Sequence, residues 1–234
     1  MSLGTKNPHH TYYLYGEPLE ETVCEKDVGV WISSTLKPSA MVAATVKKAN
    51  RVLGMLSRGT GWRDTHTWVK LYTVYCRPIL EYCGAAWAPW SVSDTDLLES
   101  VQRRAVKMVS TLNRSMTYEE KLVAYGLTTL VARRERGAAI EMYRVMTGVS
   151  RVSHTHFWDL SRGDDGEVRG HTTRSRTGHL NIEIKTGKTQ QRREFWSVKN
   201  IPAWNRLSDW TKMAPSVLSF KSRYDDEMKR IVNM

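Results

Sequence analysis

Apolar residues recur every three or four positions along most of this chain, the spacing that lines one buried helix face. The clearest series follows Pro38 and comprises Val42, Val46, Ala49, Leu53 and Leu56. Similar spacing returns over 68–79, 97–108, 130–147 and 217–231. The pattern therefore predicts a mainly α protein.

The N-terminal stretch 11–34 has a different pattern. A turn-prone Gly16-Glu-Pro18 separates Tyr12 and Leu14 from Leu19, and 28–32 is a short β-rich run. These features predict a small N-terminal antiparallel β-hairpin or sheet before the helices.

Polar caps and helix breakers mark the expected helix ends. Asp64 and Ser93 are placed to begin helices, and Thr117 with Glu120 matches a capping box. Pro78 removes one backbone hydrogen bond and is expected to bend its helix. The expected stops are Gly126 and Gly148.

Large apolar residues become scarce over 161–190, where Gly, Thr, Arg and Lys dominate. This composition predicts a long basic loop, or a weak hairpin around 180–184, and the most mobile part of the chain. Helical spacing returns after Pro215 and predicts a closing helix.

Charge narrows the choice of partner. Lys and Arg number 35 against 24 Asp and Glu, the net charge is +11, and the pI is about 9.7. The excess is uneven, with +9 in residues 101–200 and −2 in residues 1–37. A phosphate-rich partner is indicated, and an acidic membrane surface is the competing partner.

Cysteine usage and hydropathy indicate the compartment. The three cysteines form no CxxC pair, and no run of 18 apolar residues or secretory signal is present. We expect an intracellular protein, nuclear or cytoplasmic, with no membrane partner.

Candidate catalytic and metal-binding groups each have a simpler interpretation. Tyr224-Asp-Asp226 lies in a helical stripe, Asp164-Asp165 in a glycine-flanked turn, and the histidines 154, 156, 171 and 179 lack further ligands at metal spacing. Cys76 and Cys83 are expected to pack on one face of a kinked helix. Five aromatic side chains could stack on bases, but we expect most of them to lie in the core instead. They are Trp62, Trp68, Tyr72, Trp87 and Trp90.

Basic residues are the candidate binding groups. Those of the first and third helices recur on polar faces, where phosphate contact and simple solvation are both open, and the segment 169–199 sums to +6. The candidate nucleic-acid-binding residues are Lys47, Lys48, Arg51, Arg58, Arg103, Arg104, Lys107, Arg133, Arg134, Arg136, Arg169, His171, Arg174, Arg176, Arg192 and Arg193.

An ordered series of short motifs spans about residues 12–225. It includes Tyr15-Gly-Glu-Pro-Leu-Glu20, Lys48-Ala-Asn-Arg-Val-Leu-Gly54, Arg77-Pro-Ile-Leu-Glu-Tyr-Cys83, Asp96-Leu-Leu-Glu-Ser-Val-Gln-Arg-Arg-Ala105, Arg133-Arg-Glu-Arg-Gly137 and Trp204-Asn205. In this order they resemble the post-catalytic region of LINE-type, jockey-like non-LTR retrotransposon reverse transcriptases.

The resemblance implies a domain order. Residues 1–36 would be a palm-remnant hairpin near the primer grip, 37–112 a helical thumb, 113–160 a helical extension, and 161–234 a basic loop with a closing helix. The catalytic palm would lie upstream, so Mg²⁺ is expected only with that region and no cofactor in this chain. Ala138 and Ser208 depart from the family pattern, as in a truncated or decaying copy.

We expect the chain to bind RNA, an RNA–DNA hybrid or a DNA duplex while joined to an upstream polymerase region. No catalytic residue is expected in this chain. Two alternatives stay open. The first is a helical protein-interaction module. The second is a non-functional relic, in which exposed Trp31 and Ile32 would promote aggregation.

Overall fold

A computed structural model describes residues 1–3, 7–60, 64–109, 115–161, 180–184 and 186–232. Helix accounts for 59% of the structure and strand for 7%, so the predicted mainly α class with small N-terminal antiparallel sheets is confirmed. The chain divides into two compact units, Met1–Arg133 and Arg134–Met234. Each unit is described by itself.

The first unit begins with two separate hairpins. Strand β1 (Tyr13–Leu14) pairs with β2 (Glu17–Pro18), and β3 (Cys24–Asp27) pairs with β4 (Val30–Ser33). Both central residues of each turn, Tyr15-Gly16 and Val28-Gly29, have positive φ, as a two-residue type I′ turn requires.

The second hairpin packs against the helices. Val30 is buried, and the Trp31 amide donates to Met41 Sδ at 3.5 Å. At the hairpin tip, Tyr82 Oη donates to the Val28 carbonyl at 2.9 Å. The expectation that Ile32 is exposed is wrong, because its side chain packs against the core. Trp31 stays exposed.

Helices make up the rest of the first unit. They are α1 (Ser39–Gly59), α2 (Thr65–Leu71), a π-helical turn (Tyr72–Cys76), α3 (Arg77–Glu81), α4 (Gly84–Trp87), α5 (Val92–Lys107) and α6 (Tyr118–Ala124); α7 (Leu130–Met146) begins here. Asp64 caps α2, and Thr117 with Glu120 forms the predicted capping box. Helix α5 starts earlier than expected, because Ser91 rather than Ser93 is its cap.

The core of this unit lies between α1 and α5, which run parallel. Ser39 Oγ donates to Asp94 Oδ2 at 2.7 Å near the two N-termini, and Arg104 Nη1 donates to Asn50 Oδ1 at 3.3 Å further along. The predicted stripe of α1 is buried from Val42 to Leu53.

The predicted stripe of α5 needs one correction. Leu97, expected in the core, is 42% exposed, and Leu98 is buried in its place. The buried face is wider than the simple series because it also contains Glu99 and Gln102. A helix face that buries polar side chains does not follow an apolar spacing rule.

Pro78 follows a π-helical turn rather than a simple bend. The turn spans Tyr72–Cys76, and Pro78 stands at the start of α3. A π turn contains one more residue than an α turn and shifts the hydrogen-bond ladder, so a proline can follow it.

A buried carboxylate and a neighbouring glutamine connect α5 to several other segments of the first unit. Glu99, on α5, accepts from the Tyr118 hydroxyl of α6 and, at 2.9 Å, from the Leu130 amide that opens α7. Gln102 Nε2 donates to Glu99 and to the Thr128 carbonyl, while its Oε1 accepts from Tyr72 Oη at 2.9 Å. Burial raises the pKa of both tyrosine hydroxyls and keeps them protonated donors.

We expect Glu99→Ala to lower the free energy of unfolding by about 3 kcal/mol, because it strands the Tyr118 hydroxyl and the Leu130 amide without acceptors inside the protein. Urea unfolding followed by circular dichroism measures this loss. Glu20→Ala is the control, since Glu20 is exposed. Equal midpoints for the two variants would contradict the structural role of Glu99.

The second unit contains most of α7 and a series of short helices. These are a 3₁₀ turn (His154–His156), α8 (Gln190–Glu194), α9 (Trp196–Lys199), α10 (Ile201–Arg206) and α11 (Asp209–Lys212), followed by α12 (Val217–Val232). The predicted closing helix is present as α12. The short helices α8 to α11 were not expected, because none is long enough to display a periodic apolar stripe.

Aromatic rings form the core of this unit. Tyr143 stacks on Phe220 with centroids 4.4 Å apart, and Trp158 meets Trp196 edge-on at 5.3 Å. Tyr143 Oη also donates to the Ala214 carbonyl at 2.6 Å. These contacts pack α12 onto α7 and the short helices.

Residues 180–184 are held by side chains of α10 and α11. Asn205 both donates to the Ile182 carbonyl and accepts from the Ile182 amide, each at 2.9 Å. Lys212, which is buried, donates to Asn181 Oδ1 at 2.8 Å, and burial lowers its pKa. Leu160 and Ile182 form one isolated antiparallel bridge.

Asn205→Ala is expected to speed hydrogen exchange of the Ile182 amide by about tenfold or more, since that amide then has no acceptor. Exchange followed by NMR measures the change. Asn200→Ala, which removes an amide whose bond goes to Trp196 instead, is the control. An unchanged Ile182 rate in Asn205→Ala would exclude this anchoring.

Candidate nucleic-acid interface

Helix α1 carries a basic face opposite its buried side. Its exposed cations are Lys47, Lys48, Arg51 and Arg58, whereas Ala49 and Leu53 on the other face of the helix are buried. Because α1 is held by packing over its length, these cations project from a fixed surface. Within the described ranges, none of the four forms an ion pair.

Helix α5 adds three further cations in the same unit. Arg103, Arg104 and Lys107 are all exposed. Arg104 reaches Asn50 of α1, so its guanidinium lies at the junction of the two helices. Arg103 lies 5.4 Å from the centroid of the Tyr118 ring and 4.0 Å from Asp96. Lys107 has no carboxylate partner in the part of the chain that the structure describes.

We call Lys47, Lys48, Arg51, Arg58, Arg103, Arg104 and Lys107 the α1–α5 basic surface. Exposed cations on two helices that pack against each other suit a polyanion such as a nucleic-acid backbone, because each contact with a phosphate releases counterions. Contacts of this kind to phosphates hold the nucleic acid without reading its bases.

The arginines of α7 occupy a different setting. Arg133 binds both carboxylate oxygens of Glu81, and Arg136 binds both oxygens of Asp225 at 2.6 and 2.7 Å. The hydrogen bond to Asp225 raises the pKa of Arg136. Arg134 is half-buried. A phosphate would have to compete with these partners.

The remaining predicted contacts lie in the second unit. Arg192 and Arg193 are exposed on α8, and Arg192 lies 5.9 Å from the Phe195 ring centroid. Arg169, His171, Arg174 and Arg176 lie outside the described residues, as do His179, Asp164-Asp165 and Trp62. One cation that the sequence pattern does not single out, Arg77, is half-buried beside Glu81 on α3.

The alternatives to a basic interface can be located in the structure. Tyr224 is buried on α12 and Asp225 is paired with Arg136, so Tyr224-Asp-Asp226 lies on a helix as expected. Trp68, Tyr72 and Trp87 are core residues, as predicted. Among the described residues, no three His, Cys, Asp or Glu side chains converge as a metal site would require.

The cysteines differ from one another. Cys76 is buried, its thiol donates to the Ala49 carbonyl at 3.2 Å, and burial raises its pKa to about 11. Cys83 is exposed, and the expectation that it shares a packed helix face with Cys76 is wrong. The reason is that the helix ends between them, with Cys83 at φ 51°.

Comparisons with other proteins supply no relative. No family model, curated protein sequence or solved structure matches the chain. None of the helices in the described ranges combines the length and apolar content that a membrane span needs.

At pH 8 we expect iodoacetamide to modify Cys83 in the folded protein but not Cys76, since only about one Cys76 thiol in a thousand is ionised and its sulfur is covered. Peptide mass spectrometry after timed labelling measures both sites. Unfolding in guanidinium serves as the control and should equalise the two rates. Rapid labelling of native Cys76 would contradict its burial.

Proposed function

We propose that this chain binds the phosphate backbone of RNA, an RNA–DNA hybrid or a DNA duplex through the α1–α5 basic surface. The observation that carries the proposal is the parallel packing of α1 on α5, which fixes exposed cations of both helices on one rigid unit. Lys47, Arg51 and Lys107 form no ion pair with any acidic side chain among the described residues.

The motif order adds a specific context for such binding. It resembles the thumb and C-terminal extension of a jockey-like non-LTR retrotransposon reverse transcriptase, and we propose this family for the chain. In that context the basic surface holds the primer–template, and polymerisation belongs to an upstream palm that supplies the metal-binding carboxylates.

A protein-interaction module is the second candidate. The first hairpin supports it, because Tyr12, Tyr13, Leu14 and Tyr15 all expose more than half of their surface. Clustered exposed aromatic residues are typical of protein interfaces. If a partner protein binds through this hairpin, its affinity should not depend on the cations of the α1–α5 basic surface.

Fluorescence anisotropy with labelled RNA–DNA hybrid, DNA duplex and single-stranded RNA tests the proposal. We expect affinity for the duplexes to fall steeply with salt and to depend little on sequence, with each phosphate contact adding about −0.9 to the slope of log affinity against log salt. The triple variant Lys47→Gln, Arg51→Gln, Lys107→Gln should flatten that slope by about 2 to 3 and weaken binding more than about tenfold.

The matched control is Arg206→Gln, Lys229→Gln, Arg230→Gln, which removes the same charge from exposed positions in the second unit. It should alter affinity only slightly. Equal losses in both triple variants would show that net charge alone attracts the nucleic acid. No binding by the folded wild-type chain would reject the proposal and favour the interaction module or a relic.

A further inference from the structure

Two arginines share one carboxylate on the surface of the first unit. Arg133 binds Glu81 through Nε and Nη2, the latter 3.1 Å from Oε2. Arg77, one turn before Glu81 on α3, brings its Nε to 3.7 Å from Oε1 of the same carboxylate. Since Arg133 occupies both oxygens, Glu81 neutralises one guanidinium and the cluster retains a positive charge.

The surplus charge is partly withdrawn from water. The side chains of Arg77, Arg133 and Glu81 are only 22%, 29% and 29% exposed. Burial is the main reason that the pKa of Arg77 is lowered, and the neighbouring Arg133 charge is the next. A desolvated cation beside a second cation is stabilised by any anion that approaches it.

Arg77 has donors available for such an anion. Within the described part of the chain, its only ionic contact is the distant one to Glu81, and neither of its Nη atoms has a hydrogen-bond acceptor. A guanidinium offers pairs of parallel N–H donors that match two oxygens of a tetrahedral oxyanion.

We propose that Arg77, supported by Arg133, is a binding site for a phosphate group. The ligand is a phosphodiester of a bound nucleic acid or a free phosphate ion, which share the same chemistry. A bound phosphate brings a negative charge to the cluster and supplies hydrogen-bond acceptors for the Nη atoms of Arg77. The inference deepens the proposed function, on which it rests, by adding a half-buried contact outside the α1–α5 basic surface.

The position of Arg77 in the chain fits a constrained contact. Arg77 is the first residue after the π-helical turn, and Pro78 follows it, so the backbone on both sides of Arg77 is restricted. Because its side chain is also only 22% exposed, Arg77 has less rotamer freedom to lose on binding an anion than a fully exposed lysine has.

The test uses the full chain and the side-chain Nε–H NMR signals of its arginines. Titration with inorganic phosphate, with sodium chloride used to keep the ionic strength constant, should shift the signals of Arg77 and Arg133 in a saturable way. A short DNA oligonucleotide should shift the same signals at lower concentration. Arg144, an exposed arginine paired with Glu141 on the surface of α7, is the internal control and should stay in place.

Variants separate binding from a purely structural ion pair. Arg77→Gln should abolish the phosphate-dependent shift of Arg133 and flatten the salt slope for duplex binding by about 1. Glu81→Gln removes the competing carboxylate and should tighten phosphate binding several-fold. If the cluster is only a structural ion pair, neither the wild type nor Glu81→Gln should respond to phosphate. Circular dichroism reports whether each variant folds, and Arg77→Lys, which keeps the charge but not the paired donors, should bind phosphate more weakly than the wild type.

The outcomes distinguish this inference from the proposed function. Unshifted Arg77 and Arg133 signals at saturating phosphate overturn the inference. Unchanged duplex affinity and salt slope in Arg77→Gln overturn the nucleic-acid source, even if the α1–α5 triple variant loses binding. Saturable phosphate binding in a chain that binds no nucleic acid supports the free-phosphate source, and the proposed function then fails alone.

Discussion

The buried carboxylate of Glu99 is the interaction on which the first unit depends. A carboxylate inside a protein is unfavourable unless its oxygens accept hydrogen bonds, and here the donors come from α6 and from the first amide of α7. Its position at the start of α7 also places negative charge at a helix N-terminus, which is favourable. The negative charge of Glu99 offsets the unfavourable interaction of Arg133 and Arg134, in the following turn, with the helix dipole. Glu81, bound by Arg133, acts in the same direction.

The same network determines which side of α5 faces solvent. Glu99 and Gln102 must point inward to meet Tyr118 and Tyr72, so Arg103 and Lys107 are turned outward. The basic face of α5 is therefore a consequence of its buried polar face. On α1 an apolar stripe has the equivalent effect. Two different kinds of buried face thus produce neighbouring cationic surfaces on parallel helices.

Much of this fold could be predicted from local rules. The caps at Asp64 and Thr117, the helix class and the stripe of α1 depend on residues a few positions apart. The failures involve distant partners. The apolar spacing predicts Leu97 in the core because it gives no sign that Glu99 and Gln102 are buried. It predicts Cys83 on the same helix face as Cys76 because no local signal marks the end of α3.

The site was predicted in the same uneven way. Exposed cations of α1 and α5 follow from helical spacing, whereas the partners of Arg133 and Arg136 lie 52 and 89 residues away along the chain. Spacing cannot reveal such pairs. Arg77 was missed because it lies in an aromatic and apolar stretch, where an isolated arginine has no periodic signal.

The π-helical turn before Arg77 has a consequence for sequence length. Such a turn is equivalent to one residue added to an α-helix, and an α-helix advances about 100° per residue. Removing one residue from 72–76 would restore regular winding and rotate α3 by about that angle relative to α2. Tyr82 would then turn away from the hairpin carbonyl of Val28, and Arg77 away from Arg133. The unit is thus sensitive to the count of residues in this turn, and tolerance of single deletions should be lower here than in the exposed first hairpin.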